Sequence, residues 1–93
     1  MTKVKPLLGR TGKPVANQYV IEDDQGNTYF QSYESTIVKI DDYSHRFHVV
    51  LDEKYWNYST TTSKYRNQFL GESTKETQAK IDSGEYKLGD LNS

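Results

Sequence analysis

The chain reads as a single α+β domain: an antiparallel meander of about four strands, then two short helices and a C-terminal edge strand. Two observations carry that expectation. Residues 18–51 alternate β-rich runs with turn chemistry, and from Trp56 onward the period changes to helical spacing with recognisable caps. A third, the length of 93 residues, limits the chain to one core and one principal surface.

Residues 1–17 read as a basic arm or leading loop, because Pro6, Gly9, Gly12 and Pro14 interrupt any helix or central strand. Val4, Leu7, Leu8 and Val15 offer points at which this arm could be pinned to the body, which spans residues 18–93. Tyr19-Val20-Ile21 is a strand, Asp23-Asp24-Gln25-Gly26-Asn27 a turn, and Thr28 to Tyr33 its return. Thr36 to Ile40 forms the third strand, with Thr36, Val38 and Ile40 on one face. Asp41 to Ser44 turns the chain into a fourth strand over Arg46 to Leu51, which sends Phe47, Val49 and Leu51 one way and His48 and Val50 the other. Ser59, or one of Thr60 to Thr62, can accept hydrogen bonds from the free N–H groups that open a helix. Tyr65 and Phe69 follow at i, i+4, and Gly71 suits the left-handed residue after its end. A second helix starts at Ser73, where Glu76 completes a capping box, and stops by Gly84; Glu85 to Leu88 then reads as the edge strand.

Composition excludes several functions. There is no cysteine, so no disulfide and no Cys-ligated metal. The first residues lack the apolar run of a secretory signal, and the longest aliphatic run, Val49-Val50-Leu51, is far too short for a membrane span. A cytoplasmic protein without a membrane partner is expected. Aliphatic residues are sparse, but the net charge is only −1, and eight Tyr and one Trp supply apolar area, so the chain should fold around a Tyr-rich core.

No enzyme site emerges, and no cofactor is implied. Gly9-Arg10-Thr11-Gly12-Lys13-Pro14 has two residues between its glycines where a phosphate loop needs four, and Pro14 stands where that loop needs a hydroxyl. His45 and His48 lie near Asp41, Asp42 and Asp52, but His48 points away from Phe47 toward solvent, so a surface reading prevails over a metal site. The pairs Asp23-Asp24, Asp41-Asp42 and Asp52-Glu53 fall at turns, where Asp serves local backbone hydrogen bonding.

The aromatic surplus is the functional hint. Trp56, Phe69 and Tyr58 are candidates to close the core. Tyr29, Tyr33, Tyr43, Tyr55, Tyr65 and Arg66 are harder to place inside, and with Tyr58 and Lys64 they form a candidate partner-binding set rich in the residue types that anchor interfaces. The partner expected first is another protein, for which exposed tyrosines and mixed charge suffice. Nucleic acid is the alternative: tyrosines would stack on bases while Lys3, Lys5, Arg10, Lys13, Lys64 and Arg66 neutralise phosphates.

The string Leu7 to Tyr19, with Tyr29-Phe30-Gln31-Ser32-Tyr33, Trp56-Asn57-Tyr58-Ser59 and Lys64 to Gly71, resembles a family of small uncharacterised proteins of bacteriophages and mobile elements of Gram-positive bacteria. The likeness spans most of the chain, and its motifs have no assigned chemistry. It implies an accessory protein whose partner is a host or phage protein, acting stoichiometrically on host machinery as inhibitors of CRISPR nucleases or restriction enzymes do. A phage structural or assembly component, a defined homo-oligomer, is the third expectation.

Overall fold

Strong local turns draw the first half of the chain into a meander, and the computed structural model describes residues 2–41 and 48–92 of it. The elements are β1 (Lys3–Leu8), β2 (Pro14–Glu22), β3 (Asn27–Ser32), β4 (Ser35–Asp41), β5 (His48–Asp52), α1 (Thr60–Leu70), α2 (Thr74–Asp82) and β6 (Tyr86–Gly89). They build one six-stranded sheet in the order β1-β2-β3-β4-β5-β6. All neighbours are antiparallel except β5 and β6, which pair in parallel. A parallel pair needs a long connection. The two helices supply it.

The expected α+β class and order of elements hold, with one addition at the start. Residues 1–17, expected as an arm or loop, contain β1 and the beginning of β2. Pro6 is compatible with this because β1 is an edge strand, where a missing N–H costs no ladder bond. The turn closes through Gly9 N–H to Lys13 O at 2.8 Å and Gly12 N–H to Gly9 O at 3.0 Å, with Gly12 at φ +79°. Of the four apolar residues in that segment, Leu7 is buried, whereas Val4 and Leu8 stay 61% and 52% exposed.

Asp23 organises the β2–β3 turn. Its Oδ1 accepts from the backbone N–H groups of Gln25 and Asn27, each at 2.9 Å, an arrangement that short acidic side chains favour. Between β3 and β4 the register slips by one residue, so that Phe30 faces Val38 while Gln31 faces Thr36. Ile37 is the extra residue, and both it and Val38 are fully buried. The bulge sets Ile37 beside Val38 on the core face and turns Thr36, paired with Gln31, to the other one, so the expected face of Thr36, Val38 and Ile40 does not hold at Thr36: strict alternation fails at a bulge. Phe47, the first inward residue expected of the fourth strand, lies outside the described residues.

One face of the sheet carries the core: Leu7, Phe30, Ile37, Val38, Val49, Leu51 and Tyr86. Phe69 of α1 stacks on Phe30 with ring centroids 5.5 Å apart, and Trp56, Tyr65, Leu70 and Ile81 pack around the same cluster. Each fully buried apolar side chain contributes about 1.5–3 kcal/mol. The helix ends follow the caps expected. Ser59 Oγ accepts from Thr62 N–H, Gly71 sits at φ +71°, and the Ser73–Glu76 capping box is complete.

Candidate functional site

The second face of the sheet is covered by neither helix. Register places Val4, Ile21, Tyr29, Lys39, Val50 and Lys87 in one row across all six strands, on the side opposite Phe30. A parallel row holds Pro6, Tyr19 and Gln31. At the β1–β3 end the surface dips into a groove of about 740 Å³ lined by Val4, Tyr19, Ile21, Gln31, Tyr33 and Ser35 among others. Among the described residues no element lies over it.

Tyr33 stands at the tip of the two-residue β3–β4 turn with φ +56°, 49% exposed. A bulky residue in the left-handed region carries a cost of roughly 1–2 kcal/mol. The turn is fixed by Tyr33 N–H to Asn17 O at 2.7 Å and Gln31 Nε2 to Tyr33 O at 2.8 Å. Asn17 is itself left-handed, at φ +64°, inside the stretch where β1 and β2 lose register. Two adjacent backbone irregularities thus aim one aromatic ring outward.

The expected partner-binding residues do not form one patch. Tyr33 and Tyr58 are exposed, and Lys64 is exposed with its ammonium 5.2 Å from the half-buried Tyr65 ring. Tyr55 is half-buried against the core, with its ring edge-to-face to Tyr58 at 5.2 Å. Tyr29 is half-buried on the open face and donates its hydroxyl to Asp23 at 3.0 Å. Tyr43 lies outside the described residues, as does His45; His48 is exposed, as expected. Lys3, Lys5, Arg10 and Lys13 are all exposed, with Lys5 3.9 Å from Glu22. The open-face residues that sequence reasoning missed, Val4, Tyr19 and Ile21, had a signal: Tyr19 and Ile21 alternate with Gln18 and Val20.

Arg66 corrects the reading most. Expected at the surface as an interface anchor or phosphate contact, it is 0% exposed. Thr62 and Arg66, at i and i+4, are the fully buried residues of α1, so the helix turns a polar stripe inward beside Tyr65 and Phe69. The guanidinium lies 5.1 Å from the Trp56 ring. Its Nη1 donates to the Trp56 carbonyl, and to Asn57 Oδ1 and Ser63 Oγ at 3.3 Å each. Nη2 donates to Asn67 Oδ1 and Thr74 Oγ1, both at 2.8 Å. Burial pushes the guanidinium pKa down, and the charge of Glu72 opposes that. Arg66 thus ties the 56–57 loop, α1 and the start of α2 together.

Above this cluster lies a second groove, of about 790 Å³, between the β1–β2 turn and α1. Arg10, Lys64 and the carboxylate of Glu72 line it, together with Asn57, Tyr58 and Asn67 among others. Gln68 Nε2, donating to the Leu8 carbonyl, joins the two walls.

Two carboxylates are held well ionised. Burial pushes Glu72 up, but hydrogen bonds from Lys80 at 2.8 Å, Thr77 at 2.6 Å and Tyr86 at 2.7 Å together bring it below its ordinary value. The same contact with Glu72 raises Lys80, and burial raises Tyr86. Asp23 falls to about 2, chiefly through the Asn27 side-chain amide at 2.9 Å and the Asn27 backbone N–H. Among the described residues no group of three His, Cys, Asp or Glu gathers as a metal site, and no helix is long and apolar enough to cross a membrane.

Fold and surfaces together define a small α+β domain with one helix-covered and one open sheet face. The chain belongs to the DUF8033 family, a family of unknown function whose model matches residues 2–85. No curated protein and no solved structure matches it.

Proposed function

We propose that the chain is a non-enzymatic accessory protein that docks a protein partner on the open face of its sheet. The observation that carries this is the groove bounded by Val4, Tyr19, Ile21 and Tyr33, with the Tyr33 ring displayed by a left-handed backbone. Strain of this kind is kept where surrounding structure imposes it, and it clusters at binding sites. Tyrosine beside aliphatic side chains is the composition of interface centres, and a net charge of −1 presents no barrier to a protein partner.

The resemblance to bacteriophage and mobile-element proteins supports a host protein as that partner, within the host cytoplasm. A CRISPR nuclease or restriction enzyme inhibited by stoichiometric binding fits that context. The test is affinity capture from host lysate with the wild-type chain, Tyr33→Ser and Lys64→Ala as baits. Wild type and Lys64→Ala should each retain one stoichiometric protein that Tyr33→Ser loses. No stoichiometric protein on the wild-type bait, or one equally retained by Tyr33→Ser, counts against the reading.

A further inference from the structure

The groove over Arg66 has a different chemistry from the open sheet face, and it can be read from where its hydrogen bonds are spent. Arg66 is a fully buried cation whose hydrogen-bond acceptors are all neutral: one backbone carbonyl, two side-chain amides and two hydroxyls. Among the described residues no carboxylate lies within hydrogen-bond distance of it. Its Nε, also buried, has no acceptor at all. Glu72, the carboxylate whose field reaches it, is already bonded by Lys80, Thr77 and Tyr86. A buried charge whose hydrogen-bond partners are all neutral keeps a positive field in its surroundings, which Glu72, shared with Lys80, offsets only in part.

That cation also sorts donors from acceptors in the groove above it. Asn57 Oδ1 accepts from Arg66 and from Ser63 Oγ–H at 2.8 Å. Asn67 Oδ1 accepts from Arg66 and from Thr74 Oγ–H at 3.4 Å. With those oxygens used, the amide that Asn57 presents to a ligand is its N–H₂ end. Two further cations, Arg10 and Lys64, stand at the rim, and a 48% exposed aromatic ring, Tyr58, stands beside them. The one carboxylate in the lining, Glu72, has both oxygens occupied by Lys80, Tyr86 and Thr77, so the groove offers a ligand two cations and an amide N–H₂ against a spent acid, which selects an anion. The adjacent ring selects an anion that carries a flat group.

We propose that this groove binds a nucleotide unit, its phosphate held by Arg10, Lys64 and the Asn57 amide above Arg66, and its base stacked on Tyr58. The volume of about 790 Å³ is within the range of small-ligand sites. A free nucleotide and a nucleotide within a single strand share this chemistry. The site is separate from the open sheet face, so neither proposal depends on the other.

The experiment titrates the full chain with inorganic phosphate, with a nucleoside monophosphate and with a labelled single-stranded oligonucleotide, at low and moderate salt. Nuclear magnetic resonance and fluorescence anisotropy supply the readouts. The nucleoside monophosphate should shift the resonances of Tyr58, Asn57 and Lys64 and bind more tightly than phosphate alone. An oligonucleotide that binds more tightly than the monophosphate identifies the strand as the source; equal or weaker binding identifies the free nucleotide. Lys64→Glu and Arg10→Glu should each weaken binding about tenfold or more and flatten its salt dependence. Tyr58→Ala should weaken the nucleotide about tenfold, leaving phosphate unchanged. All three residues are exposed, so circular dichroism should match wild type, and Tyr33→Ser should bind as wild type does. Absence of nucleotide and oligonucleotide binding at low salt overturns the proposal. So does binding that survives both charge reversals.

Discussion

The two faces of this sheet differ in what holds their side chains. On the covered face, Phe30 meets Phe69, Ile37 and Val38 are both sealed by a bulge, and even the polar residues Ser32 and Thr62 are bonded to each other at 2.9 Å. On the open face, Tyr29 is held through its hydroxyl to Asp23, and Tyr33 by the backbone of its turn. The covered face is held by burial, the open one by local hydrogen bonds. The distinction teaches that the tyrosine surplus is divided between two uses, since Tyr86 is buried and Tyr33 is displayed.

Chemical denaturation of paired variants puts that comparison to its strongest test. Phe30→Ala should cost about 3–5 kcal/mol, and Tyr29→Ala, its neighbour on the other face, no more than about 1 kcal/mol. Equal losses would erase the distinction between the faces. Arg66 probes the polar part of the covered side. Arg66→Ala should cost about 2–4 kcal/mol, because the Trp56 carbonyl and four side-chain oxygens each lose a donor and the buried side chain leaves a void. Arg66→Lys should fall short of wild type too, since an ammonium cannot reproduce the planar fork. A neutral Arg66→Ala would mean that the cluster contributes nothing to the fold.

The acid limb sharpens the comparison further. Asp23 and Glu72 both have native pKa values below their ordinary ones, so each stabilises the fold above its unfolded value and loses that contribution as pH falls through the native one. For Asp23 the window runs from 3.8 down to about 2. Glu72→Gln should lower stability at neutral pH and flatten the profile below 4.5, read as Tm against pH. An unchanged profile would show that the Glu72 network is not coupled to folding. The smallest effect is expected at the turn. Tyr33→Gly should raise stability by about 0.5–1 kcal/mol, because glycine adopts φ +56° freely, while partner capture is lost. A Tm that falls instead would locate a supporting contact at that ring.

Much of this architecture was legible because its signals are local. The 18–33 hairpin was announced by Asp23 and Gly26 between β-rich runs, and the second helix by Ser73 and Glu76. Strand β1 was hidden by Pro6, whose objection to a strand disappears at an edge, and the edge is a property of the whole sheet. The inward turn of Arg66 was hidden for a similar reason. Tyr65 and Phe69 advertise an apolar helix face, but the carbonyl that receives Arg66 belongs to Trp56, ten residues earlier, and Thr74 to the next helix. Nothing in the spacing of α1 distinguishes a buried arginine from an exposed one. The open-face groove likewise depends on three strands meeting in register.

The parallel strand at the end of the chain has a bearing on how the protein is made. β5 is finished at Asp52, whereas the segment that seals its outer side begins only at Tyr86. At translation rates of roughly 5–20 residues per second, a row of bare amide and carbonyl groups stays open for seconds before its own chain can claim it. In that interval the nascent molecule is a template for any extended peptide nearby, and the helices must return the last strand before a stranger takes its place.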